Sequence, residues 1–196
     1  MRDVVVASGN QGKLSELAEM LEPLGWRVRS QGDLGVASPE ETGLTFIENA
    51  MIKARHAAQE TGHPALADDS GIVVEALAGR PGIHSSRFAG ETATDGANVA
   101  KLLADMADVA EAERGAFFYC ALVLMGHAAD PCPVIAEGRW HGRIAQEPSG
   151  SGGFGYDPVF LPAGENRTAA ELEAAEKARL SHRGLALAEL RRRLGA

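Results

Sequence analysis

The sequence predicts an α/β fold, and its pattern and its composition both support that prediction. Short runs rich in β-branched residues alternate with alanine-rich stretches in which apolar residues recur at helical spacing. Hydrophobic residues make up 45% of the chain and charged residues 23%, as in ordinary globular proteins. A length of 196 residues suits one domain, so we predict a single domain over residues 1–196.

The first third of the chain predicts a strand, a glycine-rich turn and a helix, then a second strand and a second helix. Residues 3–8 have the composition of a buried strand. Beyond the turn, leucines recur at helical spacing over residues 14–21. Residues 26–30 follow as a short strand, and residues 45–59 carry the broad apolar face that is typical of a helix.

The rest of the chain predicts further strands and three further helices. Residues 65–77 are interpreted as two strand pieces joined by an acidic turn at residues 68–71. Thr168 and Glu171 form a capping-box pattern, which predicts a helix running to about Leu180. The remaining predicted elements are a loop over residues 79–90, a helix over 98–106, a strand over 116–125, a strand over 134–144 with a turn near His141 and Gly142, a glycine-rich loop over 150–155, an extended segment over 156–160, and a last helix after Ser181 that ends in Arg191, Arg192 and Arg193.

Charge and hydropathy exclude two classes of partner. The formal net charge of −8 argues against a protein that coats nucleic acid or an anionic membrane through its overall field. The apolar run at the N-terminus is too short for a signal peptide, and no run of about 18 apolar residues occurs. We therefore expect a cytoplasmic protein with no nucleic-acid partner and no membrane partner.

The turn after the first predicted strand is a candidate anion site. Its segment, residues 8–13, lacks the glycine spacing of a Walker motif. Even so, a tight turn that opens a helix directs backbone N–H groups and the positive end of the helix dipole at one point, where Lys13 adds a charge. An ordinary turn with a solvated lysine explains the same residues equally well.

Two carboxylate pairs are candidate metal ligands. Asp68 and Asp69 are adjacent, and Glu40 and Glu41 precede a predicted helix. Oxygen ligands of this kind suit Mg²⁺, which usually takes one or two carboxylates plus water and substrate phosphates. Acidic residues are also common in turns and at helix N-termini for local reasons, so each pair alone favours that simpler explanation.

Residues 150–155 match the pattern G-x-G-x-x-G, but the pattern does not indicate a dinucleotide site here. That motif must open a helix, whereas Pro158 disfavours helix growth just beyond it. Phe154 then lies in a loop where it either stacks on a ligand ring or packs in the core. His182 and Arg183 follow a potential capping residue, Ser181, and could direct donors at a ligand.

Taken together, six segments in the same order resemble the inosine triphosphate pyrophosphatase family, and the resemblance runs essentially end to end. These segments are Ser8-Gly9-Asn10 with Lys13; Glu41-Thr42-Gly43 and Phe46-Ile47-Glu48-Asn49-Ala50 with Lys53; Ala67-Asp68-Asp69-Ser70-Gly71; Pro81-Gly82-Ile83 with Ser85 and Arg87; Gly152-Gly153-Phe154-Gly155-Tyr156-Asp157-Pro158; and Lys177 with Ser181-His182-Arg183.

The resemblance implies an elongated mixed β-sheet flanked by helices, two lobes with a nucleotide cleft between them, and a homodimer. It implies Mg²⁺-dependent hydrolysis of non-standard purine nucleoside triphosphates (ITP, dITP, XTP) to the monophosphate and pyrophosphate. Asp69 would be the water-activating base, and the implied metal ligands are Glu41, Asp68 and Asp69. The implied substrate-binding residues are Ser8, Gly9, Asn10, Gln11, Gly12, Lys13, Lys53 and Ser70 toward the phosphates, and Phe154, Gly155, Tyr156, Asp157, Lys177, His182 and Arg183 toward the base.

Selection among purines needs a pocket that accepts a 6-oxo group and refuses a 6-amino group. Donors from Lys177, His182 or Arg183 aimed at O6 would oppose the amino group of ATP. Each donor left unpaired costs ~1–3 kcal/mol, so two of them would discriminate about 10²–10⁴-fold. Two other functions remain open at this point: a pyrophosphatase for modified pyrimidine triphosphates, and a nucleotide-binding module without catalysis.

Overall fold

The computed structural model describes residues 2–8 and 11–195, and its six-stranded sheet mixes parallel and antiparallel pairs. The strands are β1 (Arg2–Val6), β2 (Trp26–Ser30), β3 (Ala65–Val74), β4 (Gly115–Met125), β5 (Val134–Ile144) and β6 (Phe160–Pro162). The helices are α1 (Gln11–Leu21), α2 (Phe46–Thr61), α3 (Asp95–Asp105), α4 (Ala174–Leu180) and α5 (His182–Leu194). The predicted α/β class is confirmed.

The strand order is β2-β1-β3-β4-β5-β6. Strand β1 pairs in parallel with both β2 and β3, whereas β5 and β6 are antiparallel. Helix α1 connects β1 to β2, as a parallel pair requires a crossover between its strands. This topology is the mixed sheet that the resemblance implies.

The chain forms two compact units. The first unit contains Met1–Asp69, Cys120–Gly138 and Ala186–Ala196, and the second contains Ser70–Tyr119 and Arg139–Leu185. Each unit has its own hydrophobic core. Leu14, Leu17 and Leu21 of α1 lie in the first core, which confirms the helical spacing of these leucines. No helix in the described part of the chain combines the length and the apolar character that crossing a membrane requires.

Aromatic rings form the centre of the second unit's core. The ring of Phe118 lies 4.7 Å from that of Phe160 at an angle of 65°, and the ring of Trp140 lies 5.2 Å from that of Phe160. Tyr156 is buried in the same core. These contacts hold β4, β5 and β6 beside the segment that precedes β6.

The predicted acidic turn inside residues 65–77 is wrong, because β3 is one continuous strand of ten residues. Gly71 suggests a turn, but glycine is needed at this position for a different reason. A Cβ at Gly71 would lie 2.4 Å from Oγ of Ser85 and 2.6 Å from the carbonyl oxygen of Gly82. The Ser85 hydroxyl also accepts a hydrogen bond from Ile72 N at 2.9 Å. Close approach of neighbouring backbone, rather than a bend, requires glycine here.

The predicted turn near His141 and Gly142 is wrong for the same reason. Strand β5 continues through both residues to Ile144. A Cβ at Gly142 would lie 2.3 Å from the carbonyl oxygen of Leu161 in β6. Glycine therefore allows the two antiparallel strands to pair at this point.

The segment from residue 156 to residue 180 differs in detail from its prediction. Asp157–Val159 form a 3-10 turn rather than extended chain, and β6 begins only at Phe160. The capping box of Thr168 and Glu171 is present, but it opens a 3-10 turn at Ala169–Glu171 instead of a long helix. Helix α4 begins separately at Ala174 and ends at Leu180. Capping chemistry was therefore predicted correctly and the length of the element was not.

Candidate active site

Helix α2 places a lysine at the centre of an acidic cluster in the first unit. Nζ of Lys53 lies 2.9 Å from Oδ1 of Asp69 and 2.9 Å from Oε1 of Glu41. The side chains of Lys53 and Asp69 are about nine-tenths buried, whereas that of Glu41 is 28% exposed. We call Glu41, Lys53, Asp68 and Asp69 the lysine–carboxylate cluster. It holds three carboxylates and one ammonium, which leaves an excess of negative charge.

Local sequence explains why α2 begins where it does. Thr45 accepts a hydrogen bond from Glu48 N at 3.2 Å, and the Glu48 carboxylate accepts from Thr45 N at 2.9 Å. This capping box starts the helix, and Lys53 falls on the same buried face as Ala50, Ala54 and Ala57. The helix therefore delivers a charged side chain among buried residues that are otherwise alanines and Asn49.

The segment between Glu41 and α2 lies close against the start of the helix. Gly43 N donates a hydrogen bond of 2.8 Å to Oδ1 of Asn49, which is 1% exposed. A Cβ at Gly43 would lie 2.6 Å from Cβ of Glu48 and 2.7 Å from the Asn49 amide oxygen. The chain can therefore turn closely against α2 at this point, two residues after Glu41. Asn49 lies in one of the six segments that carry the family resemblance, but its hydrogen bond with Gly43 was not predicted.

Asp68 and Asp69 are both buried within strand β3, at 1% and 7% exposure. Adjacent residues of a strand direct their side chains to opposite faces, so the two carboxylates do not form a paired ligand in one direction. Asp69 contacts Lys53 directly, and Asp68 acts on Lys53 through its charge. The rigid strand places these groups more firmly than the predicted turn would have done.

The pKa of Lys53 lies above its ordinary value. Burial alone would lower it, because burial penalises the charged ammonium. The charge of Asp69, then that of Asp68, a hydrogen bond to Asp69 and the charge of Glu41 outweigh burial. Lys53 is therefore a permanent cation at any physiological pH.

The predicted anion turn is only partly described. Ser8 follows β1 and is 9% exposed, and Gly12 lies exposed near the start of α1. Gly9 and Asn10 lie outside the described residues, as do the side chains of Gln11 and Lys13. Backbone contacts fix the approach to the turn, since Ala7 N donates to the carbonyl oxygen of Leu66 in β3 at 2.9 Å.

A second group of predicted residues meets in the second unit. Phe154 is 39% exposed, with Nζ of Lys177 5.2 Å and Cζ of Arg183 5.9 Å from its ring centroid. We call Phe154, Asp157, Lys177, His182 and Arg183 the aromatic–cation cluster. An accessible ring beside two cations offers a stacking face and hydrogen-bond donors together.

Asp157 organises this cluster from a buried position, with 3% exposure. Its Oδ2 accepts hydrogen bonds from Nζ of Lys177 and from Phe154 N, the latter at 2.8 Å. Gly153, with φ of +72°, passes so close that a Cβ there would lie 2.1 Å from Oδ2 of Asp157. One carboxylate thus fixes both the lysine and the aromatic loop.

Helix α5 supplies the remaining members of the cluster. Ser181 caps the helix by accepting from Gly184 N at 3.2 Å, which confirms the predicted capping role. The His182 ring stacks on that of Phe118, 4.8 Å apart and 12° from parallel. Arg183, 3% exposed, donates from Nη2 to Oγ of Ser70 at 3.3 Å. These contacts hold the side chains of His182 and Arg183 in place, which suits recognition of a ligand with a fixed shape.

Tyr156 and Gly155 were predicted to bind substrate, whereas in the structure both form hydrogen bonds within the protein. The Tyr156 ring lies in the core, and its hydroxyl donates to the carbonyl oxygen of Ser85 at 2.7 Å. Burial, aided by the charge of Asp95, raises the pKa of Tyr156. Gly155 N donates to Oδ2 of Asp95 at 2.7 Å. Asp95 was not predicted as a site residue, and it lies outside the helix predicted over residues 98–106, whereas α3 begins at Asp95 itself.

The lysine–carboxylate cluster has the chemistry of a magnesium site. Mg²⁺ prefers hard oxygen ligands and usually takes only one or two carboxylates from protein. Carboxylate oxygens of Glu41 and Asp69 already approach one cationic group, the Lys53 ammonium, at 2.9 Å each. Among the described residues no three His, Cys, Asp or Glu side chains gather closely enough to hold an ion alone. The cluster therefore fits an ion that takes further ligands from water or substrate.

Comparison with known proteins gives matches along almost the entire chain. A model of the Ham1 family matches residues 4–193. A relative from Shigella flexneri named dITP/XTP pyrophosphatase is 56% identical over 187 residues, 95% of each chain. One of the same name from Vibrio parahaemolyticus is 55% identical over 196 residues, 100% of this chain and 98% of its own. A solved HAM1 protein from Coxiella burnetii has a TM-score of 0.94 and 48% identity, covering 100% of this chain and 99% of that one.

Proposed function

Because the chain belongs to the Ham1 family, we propose that it hydrolyses non-standard purine nucleoside triphosphates, namely ITP, dITP and XTP, to the monophosphate and pyrophosphate. The observation that carries the proposal is the buried contact of Lys53 with both Glu41 and Asp69. A phosphate-binding cation and carboxylates for a metal and a base then occur together, as hydrolysis of a phosphoanhydride requires. Curated relatives named dITP/XTP pyrophosphatase support the choice of substrates.

Mg²⁺ is the metal we propose, with carboxylate oxygens of Glu41 and Asp69 as the direct ligands; Asp68, predicted as a third ligand, would act through its charge from the other face of β3. When bound, the ion would neutralise charge on the phosphates of the substrate. Support comes from the oxygen chemistry of the cluster and from its excess of negative charge.

We assign the phosphate chemistry to Lys53 and to the predicted anion segment, residues 8–13. Lys53 binds a phosphate oxygen with its permanent charge, and residues 8–13 supply further donors. Asp69 accepts a proton from the water that attacks the α-phosphorus. The bond between the α-phosphorus and the bridging oxygen breaks, and pyrophosphate leaves with the electron pair. The nucleoside monophosphate and pyrophosphate form in one displacement, and no covalent intermediate with the protein is needed.

Base recognition belongs to the aromatic–cation cluster in this proposal. Phe154 stacks on the purine, which adds affinity for any flat base. Lys177, His182 and Arg183 direct donors at the 6-oxo group, with Asp157 holding Lys177 in place. An adenine amino group would leave those buried donors unpaired, which is why we expect ATP to be a poor substrate.

A panel of triphosphates tests the function. Purified protein is incubated with ITP, dITP, XTP, ATP, GTP and modified pyrimidine triphosphates, with Mg²⁺ or with EDTA, and pyrophosphate and orthophosphate are measured separately. We expect pyrophosphate from ITP, dITP and XTP at rates at least about 10²-fold above ATP, and only with Mg²⁺. Orthophosphate as product, faster hydrolysis of pyrimidine triphosphates, or nucleotide binding without turnover would each contradict the proposal.

We also propose that the protein acts as a homodimer in the cytoplasm, on a small-molecule substrate and without nucleic-acid or membrane partners. Its net charge of −8 supports the last two points. Light scattering of the purified protein coupled to size exclusion tests the dimer, for which a monomeric mass would be the contrary result.

A further inference from the structure

The loop that carries Phe154 has an anchor outside the aromatic–cation cluster. Asp95 is the first residue of α3 and lies sixty positions before Gly155 in the chain, yet its Oδ2 accepts a 2.7 Å hydrogen bond from Gly155 N. The preceding amide, Phe154 N, donates to Oδ2 of Asp157 at 2.8 Å. Two carboxylates therefore hold the two successive peptide N–H groups at the aromatic residue.

Packing around this loop is sparse at Phe154 and Gly155, although Gly152 and Gly153 lie close to Ala170 and Asp157. Phe154 is 39% exposed, and a Cβ placed on Gly155 would meet nothing within 4 Å. Gly155 also adopts a left-handed backbone conformation, with φ of +62°. The hydrogen bonds of Phe154 N and Gly155 N therefore help to set the direction of the Phe154 ring, beside the contacts of that ring with Lys177 and Arg183.

Helix α3 is well placed to serve as a fixed support for Asp95. Thr94 caps the helix by accepting from Ala97 N at 3.2 Å. Asn98, 2% exposed, donates to the carbonyl oxygen of Ser86 at 3.0 Å and accepts from Ala89 N at 2.8 Å. The Tyr156 hydroxyl reaches Ser85 in the same segment. A continuous series of hydrogen bonds thus joins α3, residues 85–89 and the aromatic loop.

We propose that Asp95 is a positioning residue for base recognition: its carboxylate holds Gly155 N and so orients Phe154 for stacking on the nucleotide base. This inference rests on the proposed function, since it assigns Asp95 to the base-binding half of that site. Asp95 touches no substrate atom in this role. Its effect is confined to the affinity for ligands that carry a base.

The first test reads the contact directly in the protein without nucleotide. Exchange of the Gly155 amide hydrogen is followed by NMR in wild-type protein and in Asp95→Ala, Asp95→Asn and Thr94→Ala. We expect exchange about tenfold faster in Asp95→Ala, a smaller change in Asp95→Asn because the amide oxygen still accepts, and no change in Thr94→Ala. Thr94→Ala is the matched control, because it weakens the same helix end and spares the contact. An unchanged exchange rate in Asp95→Ala would overturn the inference.

The second test separates base binding from phosphate binding. KM and kcat are measured for ITP, together with the inhibition constant of pyrophosphate, which has no base. For Asp95→Ala we expect KM about fivefold or more above wild type, kcat within about twofold, and an unchanged inhibition constant for pyrophosphate. Asp95→Asn should recover most of the affinity. An unchanged KM, or an equal loss for ITP and pyrophosphate, would overturn the inference.

Failure of the proposed function looks different from failure of this inference. If wild-type protein releases no pyrophosphate from any purine triphosphate, the function is wrong and the role of Asp95 in it falls too, whatever the amide exchange shows. If wild-type protein is active and the Asp95 variants behave like it, only the positioning role is wrong.

Discussion

Lys53 of α2 and Asp69 of β3, sixteen positions apart in the sequence, form a buried ion pair in which Nζ lies 2.9 Å from Oδ1. Glu41 contacts the same ammonium at 2.9 Å. A charge so far removed from water is retained only where partners compensate it. Removal of either partner would therefore leave a buried charge uncompensated in the first unit.

Removal of Lys53 should destabilise the fold strongly. Lys53→Met leaves buried carboxylates without their cation, and we expect a loss of about 3 kcal/mol in the free energy of unfolding. Urea denaturation with an unchanged m-value measures it. Lys101→Met is the matched control, because Lys101 forms a surface pair with Asp105 and should cost less than ~1 kcal/mol. Equal losses for the two variants would contradict the role of burial.

The raised pKa of Lys53 predicts a dependence of stability on pH at the alkaline end. A pKa that is higher in the folded than in the unfolded protein stabilises the fold fully below the ordinary lysine value. That stability is lost as pH rises through the higher, folded value. The difference in unfolding free energy between wild type and Lys53→Met should be constant from about pH 7 to 9 and shrink above about pH 10.5. A difference that stays constant above that pH would contradict the shift.

Asp69→Asn should abolish turnover while the nucleotide still binds. The amide cannot accept the proton of the attacking water, so we expect pyrophosphate release from ITP to fall by about 10²–10⁴-fold. Calorimetry should show binding of ITP within about tenfold of wild type. Asp3→Asn is the control, since Asp3 pairs with Arg27 at the surface. Hydrolysis near the wild-type rate would remove Asp69 as the base.

Two glycines of the aromatic loop offer a matched pair of alanine substitutions. Both have positive φ, but a Cβ at Gly153 would lie 2.1 Å from Oδ2 of Asp157, whereas one at Gly155 meets nothing within 4 Å. Gly155→Ala should therefore cost only backbone strain of about 1 kcal/mol. Gly153→Ala should also displace Asp157 and Lys177 and raise KM for ITP at least about tenfold. KM values and melting temperatures measure both effects, and similar KM values for the two variants would refute the argument.

Local sequence predicted the elements of the fold better than their continuity. Helical leucines, the cap of Ser181 and the six segments of the family resemblance were all visible, and the family is confirmed by matches along the chain. The turns predicted at Gly71 and Gly142 were wrong. Glycine is needed at each position because a segment distant in sequence passes too close for a Cβ, near Ser85 and Leu161 respectively. A single sequence does not reveal which neighbour will approach.

The candidate site shows the same division. Lysine and carboxylate positions stood out because these residue types carry their chemistry in the sequence itself. Asn49 and Asp95 did not, because their roles depend on hydrogen bonds to backbone N–H groups of Gly43 and Gly155. Every residue except proline has such an N–H group, so no composition or spacing marks the partner in advance.

The burial of Lys53 has a consequence for ligand binding. A lysine on an open surface samples many rotamers, and a ligand that captures it must suppress about 2 kcal/mol of that freedom. Contacts with Glu41 and Asp69 already restrict the Lys53 side chain while the protein folds. Under the proposed function, an arriving polyphosphate would thus meet a preorganised cation, and the entropy of ordering that side chain would not weaken the association.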